Sequence, residues 1–275
     1  MLLIAGALSN GPCMVPLVAD FRPDSLVAAE VRVSPNHGER RNGMKPDMLL
    51  LHYTGMADHQ AALSLLCSAS SDVSCHYVVM EDGHIVQCVP EVRRAWHAGT
   101  SYWAGDTDVN SCSIGIEIAN AGHSHGYPDF PRRQIAAVIT LCRSILQRHR
   151  IPPYRVLGHS DVAPQRKQDP GEKFPWRLLH ESGVGLWVPP AAITPDGQVF
   201  VLGETSQTIS EAQKLLAKYG YEVAITGYFD GGTRDAVSAF QRHFRPAKID
   251  GMLDPSTLAT LRALLAARDA AADQS

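Results

Sequence analysis

Apolar and polar positions alternate between two periods along the chain, and the switches mark its elements. DMLLLHYT (47–54) is a short apolar run preceded by turn residues and predicts a buried strand. DHQAALSLLCSAS (58–70) has helical spacing, with Asp58 placed to cap its N-terminus. CHYVVMEDGHIVQCVP (75–90) is two β-rich runs about Asp82-Gly83, a hairpin signal. CSIGIEIAN (112–120) predicts another strand. PRRQIAAVITLCRSILQRHR (131–150) aligns Ile135, Val138, Ile139, Cys142, Ile145 and Leu146 on one helix face, and YRVLGH (154–159) predicts the last strand. Strands and helices intermix, so the fold class is α/β: a mixed central sheet with helices packed on it. Residues 1–45, rich in Pro, Asn, Gly and charge, read as an irregular arm before this 46–182 domain. Paired prolines, glycines and no clear period make 183–204 a linker. Three helical stretches near 206–219, 232–245 and 255–267 then predict a small all-α domain over 205–270.

Composition narrows the partners. The formal charge is -3 and no Lys/Arg-rich run appears, which argues against a nucleic-acid partner. The longest N-terminal apolar run, LLIAGAL (2–8), is far short of the ~18 residues of a membrane span and lacks a basic leader. Six cysteines form no CxxC pair, so they read as buried free thiols. One disulfide, Cys67 with Cys75, is the alternative in an oxidising compartment.

Candidate chemistry gathers where strands end. His52 closes the first strand, His159 closes the last, and Asp169 follows ten residues later across a Pro-containing loop. Two imidazoles and a carboxylate suit zinc, and a three-ligand zinc site with an open position is the simplest device for hydrolysing a stable amide. Glu117 is the sole charge in its apolar strand. Gly115 and Ala119, two residues either side, are small and are expected to leave room for a ligand above it. His123 and His125, in a Gly-rich loop, read as a rim rather than a second metal site, and His76 and His84 read as structural.

The segments LLLHYTGM, SCHYVVMEDGHIVQCVPE, AWHAG, SIGIEIAN and LGHSDVAPQRKQDPG occur in order. Together they resemble the zinc-dependent N-acetylmuramoyl-L-alanine amidases, a family to which the peptidoglycan recognition proteins are related. The resemblance implies that 46–182 is a zinc amidase domain cutting the bond between N-acetylmuramic acid and L-alanine. It implies Zn2+ held by His52, His159 and Asp169, with Glu117 as acid/base and Lys167 as the oxyanion-stabilising cation. It also places His97, Tyr77 and Asn120 at the substrate. A non-catalytic muropeptide-recognition protein is the alternative, disfavoured because Asp169 and Lys167 are both present.

The C-terminal stretch holds an internal echo. GYFDGGTRDAV and IDGMLDPSTLATL each set a Gly/Asp turn before a helix, with Thr as the expected N-cap. This segment resembles the three-helix peptidoglycan-binding domain often fused to wall hydrolases, although Asp230 stands where that family more often has glycine. A wall-binding module tethers a catalyst to its polymer and raises the local substrate concentration. It therefore implies a cell-envelope or periplasmic location, while the missing leader signal leaves a cytoplasmic one open.

Overall fold

Strict alternation in β3 (Met48–Tyr53) explains why the chain folds in layers. Leu49 and Leu51 face one side of the sheet and Met48 and Leu50 the other, all fully buried. The computed structural model describes residues 21–273. Its six-stranded sheet has the order β1 (Glu30–Val31), β5 (Ile85–Gln87), β4 (Tyr77–Val79), β7 (Ser113–Ile118), β3, β8 (Val156–Gly158). The β4–β5 pair is antiparallel and the other pairs are parallel, the mixed sheet expected. The hairpin turns at Gly83, whose φ is +88°.

On one face, α3 (Arg132–Arg148) covers Leu49, Leu51, Tyr77 and the isoleucines of β7 with Ile135, Val138, Cys142 and Ile145. Helix α1 (His59–Leu66) lies over the hairpin edge. Asp58 caps it, accepting the N–H groups of Gln60 and Ala61. Two short helices flank the strands: α2 (Val109–Cys112) runs directly into β7, and α5 (Trp176–Glu181) packs into the core on the α3 face.

The arm expected to be irregular is partly ordered. Besides β1, it supplies β2 (His37–Gly38), which pairs antiparallel with β6 (Arg94–Ala95). The buried Arg40 guanidinium donates to the carbonyls of Glu91, Asn110, Ser111 and Ser113. Two-residue strands carry no readable period, so their partners alone define them. LLIAGAL and Cys13 lie outside the described residues. The other five cysteines are free thiols. Cys67 approaches Cys88, at 3.8 Å between sulfurs, rather than the Cys75 considered from sequence.

The C-terminal helices α6 (Gln207–Tyr219), α7 (Gly231–Phe244) and α8 (Pro255–Ala272) fall where their periodicity placed them. Their caps differ from expectation. Asp230 and Asp254 are the N-caps, each accepting the backbone N–H and the hydroxyl of a Thr three residues on. Threonine thus occupies the third helical position. The echo extends to Gln213 and Gln241. Each accepts two turn N–H groups and donates to a turn carbonyl and to that Thr hydroxyl.

These helices share one apolar cluster with the second sheet face: Met48, Leu50 and Leu157 pack together with Ile209, Leu216, Phe240 and Leu261. Residues 183–204 hold no helix or strand, but Val184, Leu186, Val188 and Phe200 are buried, and Phe200 bridges to Leu253. Among the described residues no helix is long and apolar enough to cross a membrane.

Candidate active site

The parallel strands β3, β7 and β8 end at one edge, and their C-terminal ends carry the chemistry. His52 and Glu117 are direct partners in the β3–β7 register, so both side chains leave the sheet on the same face. His159 begins α4 (His159–Val162), one residue beyond β8. The loop that follows returns Asp169 beside it, and the Ser160 N–H bonds to the Asp169 carbonyl at 2.9 Å.

Three ligand atoms converge in a buried group: His52 Nδ1, His159 Nδ1 and Asp169 Oδ2. The two nitrogens are 2.9 Å apart, and the carboxylate oxygen is 3.1 Å from His52 and 3.0 Å from His159. The opposite ring atoms fix the tautomers. His159 Nε2 lies 3.0 Å from the Ala98 carbonyl, which can only accept, so Nε2 carries the proton and Nδ1 keeps its lone pair. His52 Nε2 lies 3.1 Å from His97 Nδ1, and His97 Nε2 continues to Ser113 Oγ at 3.3 Å. With that chain donating outward from His52, two lone pairs and a carboxylate oxygen face one another at hydrogen-bond distance. Such a cluster of acceptors fits a shared cation. Four-coordinate zinc, with ligands about 2.1 Å away, would set ligand–ligand edges of roughly 3.4 Å, a few tenths of an ångström wider than those observed.

The electrostatics agree. Burial, then His159, pulls the His52 pKa down to about 4, which keeps the imidazole neutral and able to ligate at pH 7. Burial alone would raise Asp169, but the two histidines, His159 foremost, hold its carboxyl well below the usual range. Glu117 moves the other way: burial, then the Asp169 charge, pushes it well above the ordinary carboxylate value, with Lys167 opposing. Its Oε2 is buried without a hydrogen-bond partner among the described residues.

A cleft of about 260 Å3 opens over this group, lined by Tyr53, Trp96, His97, Glu117, Lys167 and Asp169 among others. The Lys167 ammonium enters no ion pair among the described residues, so its charge is available to the cleft. His97 lines the cleft as expected, but it also lies behind His52. A Cβ at Gly115 would come within 2.5 Å of the His97 ring. The small residue at 115 therefore makes room for an imidazole, not for a ligand above Glu117 as its sequence position suggested.

Two expected substrate contacts do not reach the cleft. Tyr77 is fully buried on the α3 face and donates to Glu91 Oε1 at 2.7 Å. Its neighbour Val78, not Tyr77, pairs with Glu117, so alternation sends the phenol to the opposite face. Asn120 is buried and spends its side chain on the loop, donating to the Pro128 carbonyl and accepting from the Gly122 N–H. Tyr53 and Trp96, absent from the sequence-based set, line the cleft instead. Tyr53 carried a signal, since it directly follows a ligand at a strand end. His123 bonds the Tyr53 hydroxyl at 2.9 Å and pairs with Glu172 at 3.1 Å, while His125 is exposed and joins no candidate metal group among the described residues. His76 is buried and bonds the Gly115 N–H and the Arg93 carbonyl, a structural role.

A buried His-His-Asp group that could hold a metal ion thus sits at the carboxyl edge of a mostly parallel sheet, with the Glu117 carboxyl beside it. Residues 42–172 match the N-acetylmuramoyl-L-alanine amidase family model, and residues 205–261 match that of a peptidoglycan binding domain. The N-acetylmuramoyl-L-alanine amidase AmiD of Escherichia coli K12 is 38% identical over 236 residues, covering 79% of this chain and 82% of AmiD. The 1,6-anhydro-N-acetylmuramyl-L-alanine amidase AmpD of the same strain is 34% identical over 168 residues, 55% of this chain and 90% of AmpD. The E. coli AmiD structure, bound to anhydro-N-acetylmuramic acid-L-Ala-D-γ-Glu-L-Lys, aligns with a TM-score of 0.68 at 35% identity, covering 82% of this chain and 91% of that one. AmpDh3 of Pseudomonas aeruginosa, in complex with an anhydromuramic pentapeptide, aligns at 0.66 and 33% identity, covering 82% and 92%. The chain belongs to the N-acetylmuramoyl-L-alanine amidase family.

Proposed function

We propose that this protein hydrolyses the amide between the lactyl group of N-acetylmuramic acid and the L-alanine of peptidoglycan or muropeptides, using zinc held by His52, His159 and Asp169. The convergence of those three ligand atoms within reach of an unpartnered carboxyl is the observation that carries the reading. Zinc bound there supplies Lewis acidity and a water activated at neutral pH.

The chain's own residues do the rest. Glu117 Oε2, free of any partner, takes a proton from the attacking water and delivers it to the departing alanine nitrogen. The same carboxyl must hold the proton between the two transfers. The Lys167 ammonium faces the negative charge that builds on the lactyl carbonyl oxygen. His97 holds the His52 ring so that Nδ1, not Nε2, faces the ligand group. Tyr53 and Trp96 form the cleft wall against which the muropeptide lies. The helical domain, matching a wall-binding family, supports an envelope location where polymeric substrate is at hand.

The test combines metal content with product analysis. Purified protein is expected to hold about one zinc per chain and to release L-alanine-headed peptide from muramyl and anhydromuramyl peptides. Asp169→Ala is expected to lose both. Full zinc content and wild-type turnover in that variant would remove the proposed third ligand.

A further inference from the structure

The loop that delivers His159 is gripped from outside the amidase fold. Asp161, in the same four-residue helix, is almost fully buried at 1% exposure. Its carboxylate has three partners. Oδ2 accepts the Gly158 N–H at 2.8 Å, closing the first turn of the helix that begins with His159. The other two come from the C-terminal domain, far along the chain: the hydroxyl of Tyr221, in the loop after α6, donates to Oδ1 at 2.7 Å, and Nδ1 of His243, on α7, meets Oδ2 at 2.7 Å. An ionised carboxylate only accepts, so the His243 proton is on Nδ1.

His243 is itself immobilised. Its ring stacks on Trp176 at 3.7 Å between centroids and on Phe244 at 3.8 Å. Trp176 also closes against Gly158, where an added Cβ would meet it at 3.3 Å and Pro170 at 2.8 Å. Gly158, which precedes His159, is therefore held against Pro170, which follows Asp169, and against Trp176, on which His243 stacks. None of Asp161, Tyr221 or His243 lines the cleft, so their contribution passes through the ligand loop.

We propose that Asp161 is a positioning residue for the metal ligands His159 and Asp169, and that Tyr221 and His243 of the helical domain lock it in place. The helical domain is then a structural part of the metal centre as well as a wall-binding module. This rests on the zinc reading above. Buried, charge-assisted hydrogen bonds are the strong kind, and partners of this sort around a metal site alter affinity by about 10–100-fold when removed.

The test measures zinc affinity of the apo-protein by chelator competition, alongside Tm and steady-state kinetics. His243→Phe keeps a stacking ring but has no Nδ1 proton. His243→Asn restores an N–H donor at the δ position. Tyr221→Phe removes the other donor with the least change in shape. His243→Phe and Tyr221→Phe are each expected to weaken zinc binding about tenfold and lower kcat with KM little changed, while His243→Asn recovers most of the affinity. Wild-type zinc affinity in folded His243→Phe and Tyr221→Phe would overturn the coupling while leaving the zinc reading intact. A wild-type protein that binds no zinc would overturn both.

Discussion

Gly115→Ala puts the arrangement behind the proposed zinc ligands under direct test. The glycine has no positive φ, so the effect is steric alone. The new Cβ would sit 2.5 Å from His97 Cγ and Nδ1 and 2.6 Å from Cδ2. Ordinary carbon contacts are roughly 3.5–4.0 Å, so the ring must retreat by about 1 Å or more. It cannot do so freely. His97 Nδ1 is held 3.1 Å from His52, Nε2 is 3.3 Å from Ser113, and the His76 ring packs edge-on with centroids 5.6 Å apart. A 1 Å retreat stretches the His52 contact beyond any useful hydrogen bond. Overpacking of this kind costs about 1–3 kcal/mol, a Tm drop of about 3–10 °C in a chain of this size. The freed His52 ring should also weaken zinc binding about tenfold or more. Calorimetry and chelator competition measure the two effects separately. His97→Ala supplies the control: in that background the added methyl meets no ring, so Gly115→Ala should cost much less than it does alone. Additive losses in the double variant, or wild-type zinc affinity in Gly115→Ala, would refute the steric argument.

Glu117→Gln keeps the shape and removes the transferable proton; kcat should fall about 10²–10⁴-fold with zinc content unchanged, read by turnover and metal analysis together. Equal activity would exclude Glu117 as the proton carrier. Glu91 makes a pH prediction. Burial opposes its ionisation, but donors from His149, Arg148 and Tyr77 hold its folded pKa down to about 2. A depressed carboxylate contributes stability above its unfolded pKa, roughly 4.3, and loses it as pH falls toward the folded value. The difference is worth about 3 kcal/mol at neutral pH, so denaturant-derived stability should decline between about pH 5 and 2. That decline should flatten in Glu91→Gln; an unchanged slope would assign the acid sensitivity elsewhere. Asp254→Ala removes a buried N-cap that also accepts the Thr257 hydroxyl, and should lower stability by about 1–2 kcal/mol in urea titrations.

The amino-acid sequence alone determined the elements with strong periods: the apolar strand that carries His52, the α3 face, the hairpin at Gly83 and the three C-terminal helices. Each buries a face whose pattern is local, so local spacing reveals it. Ordered motifs also brought out His52, Glu117, His159, Lys167 and Asp169, because each sits at a strand end or in a polar loop that no packing explains. Only the tertiary structure decided which face each neighbour takes. Tyr77 and Glu117 lie in equally β-rich strands, yet register sends one toward α3 and the other into the cleft. Gly115 is small because His97, eighteen residues earlier, fills its space. Asp161 reads as one more loop charge until Tyr221 and His243 close on it from another part of the chain. Such partners are invisible in sequence because a hydrogen bond between distant residues leaves no period behind. Only the folded sheet and its shared apolar cluster bring them within 3 Å.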